Sequence, residues 1–570
     1  MVAENRRDIR KMSMFVNWLF APLDDRGVYL ADSAGGWQCF TYRKLAEVSG
    51  QVAAQYRAAG VRAGDVVCLT VPTTYESLAS LFGVWLAGAV ICPLAEPSFQ
   101  SDQEYVEHIG EVLRRAEPAV TATSAELAPL MGKAMAHAGL PGSPLVVNCQ
   151  IEGAQELPAP PDRLPELALL QFTSGSTGNP QGVRVSWANL EANFAVLHRW
   201  TQWQPGQGGA GWLPLYHDMG LIGFLLPAIA MQENLWLMRP LEFIRDPGRW
   251  LSCFGPGKAA HTAAPSFAFA YAARRIAADR WADFDLSALR SAIVGAEVVD
   301  PQALAEFARV AAPAGFASNT FVPAYGLAEN TLGVTSIGSG RDMLLVRPDW
   351  SSLRYGQPVR IAEQTRFSPE WNAKEAGWLV GTGSPDPLDG IGVEVVDEDG
   401  VSLSAGQLGE IAVTGSSVAV GYHGQHRDRV TRFLGGVLRT GDAGFFYGGE
   451  LFVVGRMGDS IQLRGRNIYA EDLDAKVSET AELNRGRVMV VNRLNEGKAG
   501  VVVFAEAAPG PWTDNVIERL RGELGPEPRV SIVCGDRGMI RRTSSGKPRR
   551  REMWELLTSG KLTGTSVIDT

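Results

Sequence analysis

Between about Tyr29 and Val183, short apolar runs alternate with amphipathic stretches, and few folds accommodate that rhythm. Val66–Val71 and Ala89–Leu94 read as strands, whereas Tyr42–Arg57 and Tyr105–Arg115 carry the periodicity of helices. Such a βαβ alternation predicts a largely parallel sheet with helices on both faces. Its most demanding piece is Ser77–Ala95, nineteen residues without a charge. That length nominally spans a bilayer. Gly83, Gly88 and Pro93 interrupt it, however, so it divides into a buried helix, Leu78–Leu86, and a buried strand, Ala89–Leu94. Both are then core elements of a large α/β body.

A chain of 570 residues with 45% apolar content buries enough surface to fold without disulfides or a structural metal. The formal charge of -9 argues against duplex nucleic acid, which demands basic patches. Cys39, Cys68, Cys92, Cys149, Cys253 and Cys534 include no C-x-x-C spacing, so neither a zinc knuckle nor a redox dithiol is indicated. Scattered cysteines of this kind fit a reduced, cytoplasmic protein. Arg6-Arg7 ahead of Met12–Leu23 faintly suggests an export signal, but Glu4 and Asp8 spoil the basic region and no cleavage site follows. Periodicity weakens between Gly338 and Gly381, which reads as an insertion or extended loop outside the core. Beyond Leu451–Val454, charged helices (Ala470–Glu479, Asp514–Leu524) alternate with strands (Arg487–Val491, Gly500–Phe504). The expected architecture is α/β, mixed α+β overall. A large N-terminal body of mainly parallel sheets, residues 1–455, precedes a small mobile α+β domain, residues 456–570.

Chemistry concentrates in a few segments. The apolar run ending at Phe172 enters Thr173-Ser174-Gly175-Ser176-Thr177-Gly178, then Pro180-Gln181-Gly182. Glycines permit turns that aim successive N–H groups inward and hydroxyls add donors, so this loop suits a polyphosphate. It is not a Walker loop, because no Gly-Lys pair is followed by Ser or Thr. Gly206-x-Gly208-x-x-Gly211 formally matches a dinucleotide fingerprint but follows Gln-Pro rather than a strand, and Pro214 interrupts any helix after it. His217 and Asp218 are adjacent, so on a strand they would point to opposite faces and not share a metal. Thr440-Gly441-Asp442 follows a strand at Gly436–Arg439, and Gly455-Arg456 leads to Asp459 after another. A carboxylate just past a strand is suited to sugar hydroxyls, although taken alone each segment reads as a plain polar turn. Near the C-terminus, Lys547 follows Gly546 in a basic run, either a solvated face or a point charge able to reach a phosphate.

Taken in this order, these segments resemble the adenylate-forming superfamily of acyl-CoA synthetases, peptide-synthetase adenylation domains and luciferases, and most of all its fatty acyl-AMP ligases. The resemblance runs from about Val28 to Arg551. It also rests on Leu213-Pro-Leu-Tyr-His217-Asp-Met-Gly, Val294-Gly-Ala-Glu297, Tyr325-Gly-Leu-Ala-Glu329 and Arg464-Gly-Arg-Asn467. It implies a ligase that joins a carboxylic acid to ATP as an acyl-adenylate, then passes the acyl group to a thiol. By that resemblance Thr173–Gly178 holds the β- and γ-phosphates, and Glu329 binds Mg²⁺. Gly295, Ala296 and Glu297 with Tyr325 and Gly326 enclose the adenine. Asp442 accepts from the ribose with Arg456 nearby, Lys547 reaches the carboxylate and α-phosphate, Asp459 is the hinge, and His217 gates the thiol path.

One position departs from that pattern. The superfamily's loop reads Pro-Lys-Gly, whereas Gln181 brings a hydrogen-bonding group without charge; Arg184 is the nearest substitute cation in the chain. The resemblance favours a separate acyl carrier protein as thiol acceptor, with CoA as the alternative. Gln181 also admits a non-adenylating enzyme or binding protein that uses preformed acyl-adenylate.

Overall fold

The uncharged stretch is core in both halves. Helix Tyr75–Leu86 begins where Thr74 Oγ1 accepts from Ser77 N–H, and eleven of its twelve residues are buried. Gly88, at φ +81°, turns the chain into the fully buried strand Val90–Leu94. Trp85 sits at 1% exposure, its Nε1 donating to Ala168 O at 2.9 Å. Each large apolar side chain so buried contributes roughly 1.5–3 kcal/mol. The computed structural model describes residues 12–97, 102–149, 157–161, 163–173, 180–349, 352–372, 377–424, 431–455, 460–463, 466–483, 487–495, 498–541, 548, 550–562 and 566–569.

Two sheets carry the βαβ pattern. The first runs, in spatial order, Gly421–Tyr422, Gln181–Ser186, Leu167–Thr173, Val90–Leu94, Val66–Thr70, Val120–Thr123 and Leu145–Val146. The second runs Gly333–Ser336, Phe321–Gly326, Ser291–Val294, Ala259–Ala264, Gly208–Gly211, Leu235–Leu237, Gly27–Ala31 and Trp37–Thr41. Both are parallel at the centre; the second is antiparallel at both margins, the first only at the Gln181–Ser186 and Gly421–Tyr422 margin. One apolar core joins them: Leu69 and Ile91 of the first sheet cluster with Leu235 and Ile293 of the second and with helices Tyr42–Ala58 and Tyr75–Leu86. A helical layer therefore lies between two sheets, which is why Leu78–Leu86 carries no polar face.

The large body also holds a sheet outside the parallel pattern, and one expectation needs correction. A third sheet, Ile391–Val396, Gly409–Gly415, Val437–Tyr447, Arg432–Leu434 and Glu450–Gly455, is wholly antiparallel. The stretch 338–381 is not an extended loop. Leu344–Pro348, Ile361–Arg366 and Leu379–Val380 form an antiparallel sheet, and Leu344, Val346 and Leu379 pack against Phe445 and Phe452 of the third sheet. Its weak periodicity reflects the short, half-exposed strand Ile361–Arg366, which carries charge on its open edge.

The smaller C-terminal domain pairs Val488–Asn495, Lys498–Ala505, Arg529–Cys534 and Ser566–Asp569 with helices Ala470–Thr480, Trp512–Leu524 and Arg550–Thr558. Its apolar clusters draw only on residues 473–568. Asp459, the expected hinge, lies outside the described residues. Among the described residues no helix is long and apolar enough to cross a membrane.

Candidate functional site

The hydroxyl-rich loop hangs from an antiparallel hairpin. Thr173 closes strand Leu167–Thr173 and pairs with Gln181, the first residue of Gln181–Ser186. Ser174, Gly175, Ser176, Thr177 and Gly178 lie outside the described residues, as do Arg456 and Lys547. What is described fixes the loop's two ends at the margin of the first sheet.

Tyr422 ties Glu329 to that hairpin. Strand Gly421–Tyr422 pairs with Val183 and Arg184, and His423 N–H donates to Gly182 O at 2.7 Å. From there the Tyr422 hydroxyl donates to Glu329 Oε1 at 2.6 Å. Glu329 is 6% exposed, and its own carbonyl accepts from Ala419 N–H at 2.9 Å. Just beyond it the backbone is strained. Thr331 stands at φ +66°, ψ -53°, and Leu332 N–H donates to Asn330 O at 2.7 Å. This is a positive-φ γ-turn, rare for any residue and more so for a β-branched one. Side chains hold it in place: Thr331 Oγ1 donates to Ser417 O at 2.7 Å, and Asn193 Nδ2 donates to Gly333 O at 2.9 Å.

Tyr325 and Asp442 also meet. The Tyr325 hydroxyl donates to Asp442 Oδ2 at 2.7 Å. Asp442 does not follow a strand, as its surroundings in the sequence suggest, but lies inside Val437–Tyr447. A bulge lets both hold: register slips between Glu410 and Ala412, and Gly441 sits at φ +75°. A buried ion pair braces the bulge. Arg439 Nε donates to Glu410 Oε2 at 2.9 Å, while Glu410 Oε1 accepts from Gly441 N–H at 2.9 Å. Removing one partner of such a pair leaves a buried charge uncompensated.

On the neighbouring strand's exit, Ala296 takes φ +65° and Glu297 Oε1 accepts from Phe267 N–H at 3.2 Å, in the first turn of helix Ser266–Arg275. A Cβ at Gly295 would stand 3.1 Å from Ala324 O. Gly326 faces Leu332 O too closely for any side chain. Glycine is thus required at Gly326, whereas at Gly295 a side chain would be tight.

His217 and Asp218 overturn the strand-based expectation of opposed faces. His217 is the N-cap of the turn Asp218–Gly220, and its Nδ1 lies 2.7 Å from Asp218 Oδ1. Partial burial works against the imidazolium, but the Asp218 charge and hydrogen bond outweigh it and raise the His217 pKa above 6.5. Burial likewise opposes the Asp218 carboxylate, yet His217 and the Met219 N–H hold its pKa below 3.8.

Sequence reasoning missed Tyr422, Thr331 and the Glu410–Arg439 pair. Tyr422 and Thr331 carry no spacing signal; Glu410 is a carboxylate inside an apolar strand, and that alone could have drawn notice. On helix Ser266–Arg275, Phe269 is core at 1% exposure, and Phe267 packs against the same cluster.

A magnesium ion fits these residues only as a companion of phosphate. Among the described residues no group of three or more His, Cys, Asp or Glu side chains could cage a metal. Mg²⁺ commonly binds through one or two carboxylates plus phosphate oxygens and water, and the pinned Glu329 matches that pattern.

Residues 22–423 match the model of the AMP-binding enzyme family. The chain belongs to that family. It is 32% identical over 548 residues to a 4-hydroxyphenylalkanoate adenylyltransferase of Mycobacterium marinum, covering 90% of this chain and 84% of the relative. It is 30% identical to the long-chain-fatty-acid–AMP ligase FadD26 of Mycobacterium tuberculosis, covering 92% of each. A solved structure from work on the fatty acyl-adenylate ligases of E. coli and L. pneumophila superposes with a TM-score of 0.66 at 28% identity, covering 96% of this chain and 98% of that one. As an AMP-binding enzyme the chain is a ligase of the adenylate-forming type, with fatty acyl-AMP ligases among its relatives and structural neighbours.

Proposed function

We propose that this ligase activates a fatty or related carboxylic acid with ATP as the acyl-adenylate, and then transfers the acyl group to the phosphopantetheine thiol of a separate acyl carrier protein. The observation that carries the reading is the pair of tyrosine hydroxyls that draw Glu329 to the loop hairpin and Asp442 to Tyr325. Three candidate segments, the loop hairpin, Tyr325–Glu329 and Thr440–Asp442, are thereby drawn together.

In this reading the acid's carboxylate oxygen attacks the α-phosphorus of ATP and pyrophosphate leaves. Adenylyl transfer needs little covalent help and depends on positioning and neutralisation of charge. Thr173 with Ser174–Gly178 cradles the β- and γ-phosphates, Asp442 accepts from the ribose with Arg456 beside it, and Gly295–Glu297 with Tyr325 and Gly326 encloses the adenine. Bound at Glu329, Mg²⁺ supplies charge neutralisation to the departing phosphates. Lys547 brings its charge to the acid carboxylate and α-phosphate, then departs as the small domain turns about Asp459. His217 borders the route of the incoming thiol.

Gln181 supports a second reading, an enzyme that takes preformed adenylate, because the hairpin enters the sheet without the usual cation. CoA is the competing acceptor. ATP–pyrophosphate exchange over a panel of carboxylic acids, with wild type and Gln181→Lys side by side, separates these. Exchange by wild type supports adenylation and identifies the acid; silence by wild type with activity in Gln181→Lys supports the second reading. Acyl transfer to phosphopantetheinylated carrier but not to CoA supports the carrier.

A further inference from the structure

Gln171 is a polar residue in an otherwise apolar stretch of strand, and it is only 3% exposed. Alternation along Leu167–Thr173 puts Leu170 and Phe172 on one face, where they pack with Cys68, Cys92 and Leu113. Leu169 and Gln171 take the other face. Leu169 clusters there with Leu215 and Met219, which flank His217. Gln171 therefore lies between the strand that feeds the hydroxyl-rich loop and the turn that carries His217.

Its amide reaches that turn directly. Gln171 Nε2 donates to Tyr216 O at 2.9 Å, across 45 residues of chain, and to Phe172 O at 3.3 Å. Both acceptors are carbonyls, so the amide nitrogen must face them and Oε1 must face away. Among the described residues Oε1 is buried without a donor. The Tyr216 carbonyl belongs to the same peptide unit as the His217 N–H, which donates to Pro214 O at 3.2 Å. One restraint on this peptide is local to the turn, and Gln171 supplies another from the first sheet. Leucine or methionine would fill similar space without burying an unpaired acceptor, so packing alone does not account for an amide here.

We propose that Gln171 is a positioning residue: its amide fixes the Tyr216–His217 peptide, and with it the His217 side chain, relative to the strand that ends at Thr173. The proposal rests on the reading above, in which His217 borders the route of the incoming thiol, and deepens it. A change at this peptide unit alters φ of His217 and so the direction of its Cβ. Losing the distant restraint therefore moves the imidazole even where the Pro214 contact survives. Gln171 need touch neither thiol nor adenylate to act in this way. It sets where the ring stands.

Two measurements on the full-length protein test this. In the first, the His217 imidazole, identified by its absence from His217→Ala, is titrated by NMR. Its midpoint, above 6.5 in wild type, is expected to move in Gln171→Leu as the ring leaves Asp218. The second is a double-mutant cycle on single-turnover transfer from dodecanoyl-adenylate to pantetheine. Gln171→Leu is expected to slow transfer about ten- to a hundredfold at an unchanged half-saturating pantetheine concentration, and to slow it no further once His217 is alanine. Equal losses in both backgrounds, or a His217 titration untouched by the substitution, overturn the proposal. Where wild type does not turn this adenylate over, the titration alone decides. Gln171→Met, equally long and without an amide, replaces leucine if that variant unfolds; unfolding of both makes the amide purely structural and also overturns the proposal. A moved titration with normal transfer in His217→Ala upholds the positioning and removes His217 from the thiol route.

Discussion

Thr331 holds a backbone conformation that costs of order 1–3 kcal/mol, two residues beyond the carboxylate assigned to magnesium. Its hydroxyl bond to Ser417 O offsets part of that cost. Thr331→Gly should relieve the strain while losing the hydrogen bond, so it is expected to be near neutral. Thr331→Val keeps the strain and loses the bond, so a destabilisation of about 1–3 kcal/mol is expected. Denaturant unfolding of both variants checks the order; valine the more stable of the two would mean the turn is not strained. Tyr422→Phe tests the other restraint on Glu329. A hydrogen bond to a charged group is worth about 1.5–3 kcal/mol, so pyrophosphate exchange should fall by roughly ten- to a hundredfold, with a higher requirement for Mg²⁺. Unchanged magnesium dependence would detach Tyr422 from the metal. Glu329 and Asp442 were legible in the sequence because each sits in a short ordered motif. Tyr422 and Thr331 were not, because their roles come from contacts across 93 and 86 residues of chain.

At the level of elements, the strand Val437–Tyr447 was read as a strand ending in a turn, and the bulge at Gly441 explains the error. A positive-φ glycine and a polar triplet signal a turn whether the chain leaves the sheet or only kinks within it. The short helical turn at His217 misled in the opposite way, since an apolar run before it suggested continued strand. Its pairing gives a pH dependence. A raised His217 pKa contributes stability that is complete below 6.5 and lost as pH rises through the folded value. A lowered Asp218 pKa contributes stability that is complete above 3.8 and lost as pH falls. The pair should therefore stabilise most between pH 3.8 and 6.5. Melting temperatures of wild type and Asp218→Asn should differ most in that window and converge above it. An NMR titration of His217 with a midpoint at or below 6.5 would contradict this.

Across the described residues, the apolar clusters of residues 473–568 include no residue of the larger body. A fragment spanning 460–570 should fold alone, with a cooperative thermal transition; a featureless melt would argue for one interdependent core. Lys547 provides the functional counterpart. Lys547→Ala is expected to reduce exchange by about a hundred- to a thousandfold while leaving acyl transfer from supplied adenylate largely intact. Equal loss in both steps would rule out a role confined to the first. The alternation that announced parallel sheets was legible because both faces of those strands are buried. The antiparallel third sheet and the sheet at 344–380 were not, because several of their strands are short or half exposed.

Separation along the chain also orders events in time. Strand Gly27–Ala31 pairs with Leu235–Leu237, and Gly27 N–H bonds an Asn234 side chain 207 residues later. At ribosomal rates of about 5–20 residues per second, the first strand waits roughly 10–40 s for its neighbour to be made. Tyr422 is synthesised later still, 93 residues after the carboxylate it pins. A nascent chain thus carries its hydroxyl-rich loop well before it carries the tyrosine that ties Glu329 to the loop's hairpin.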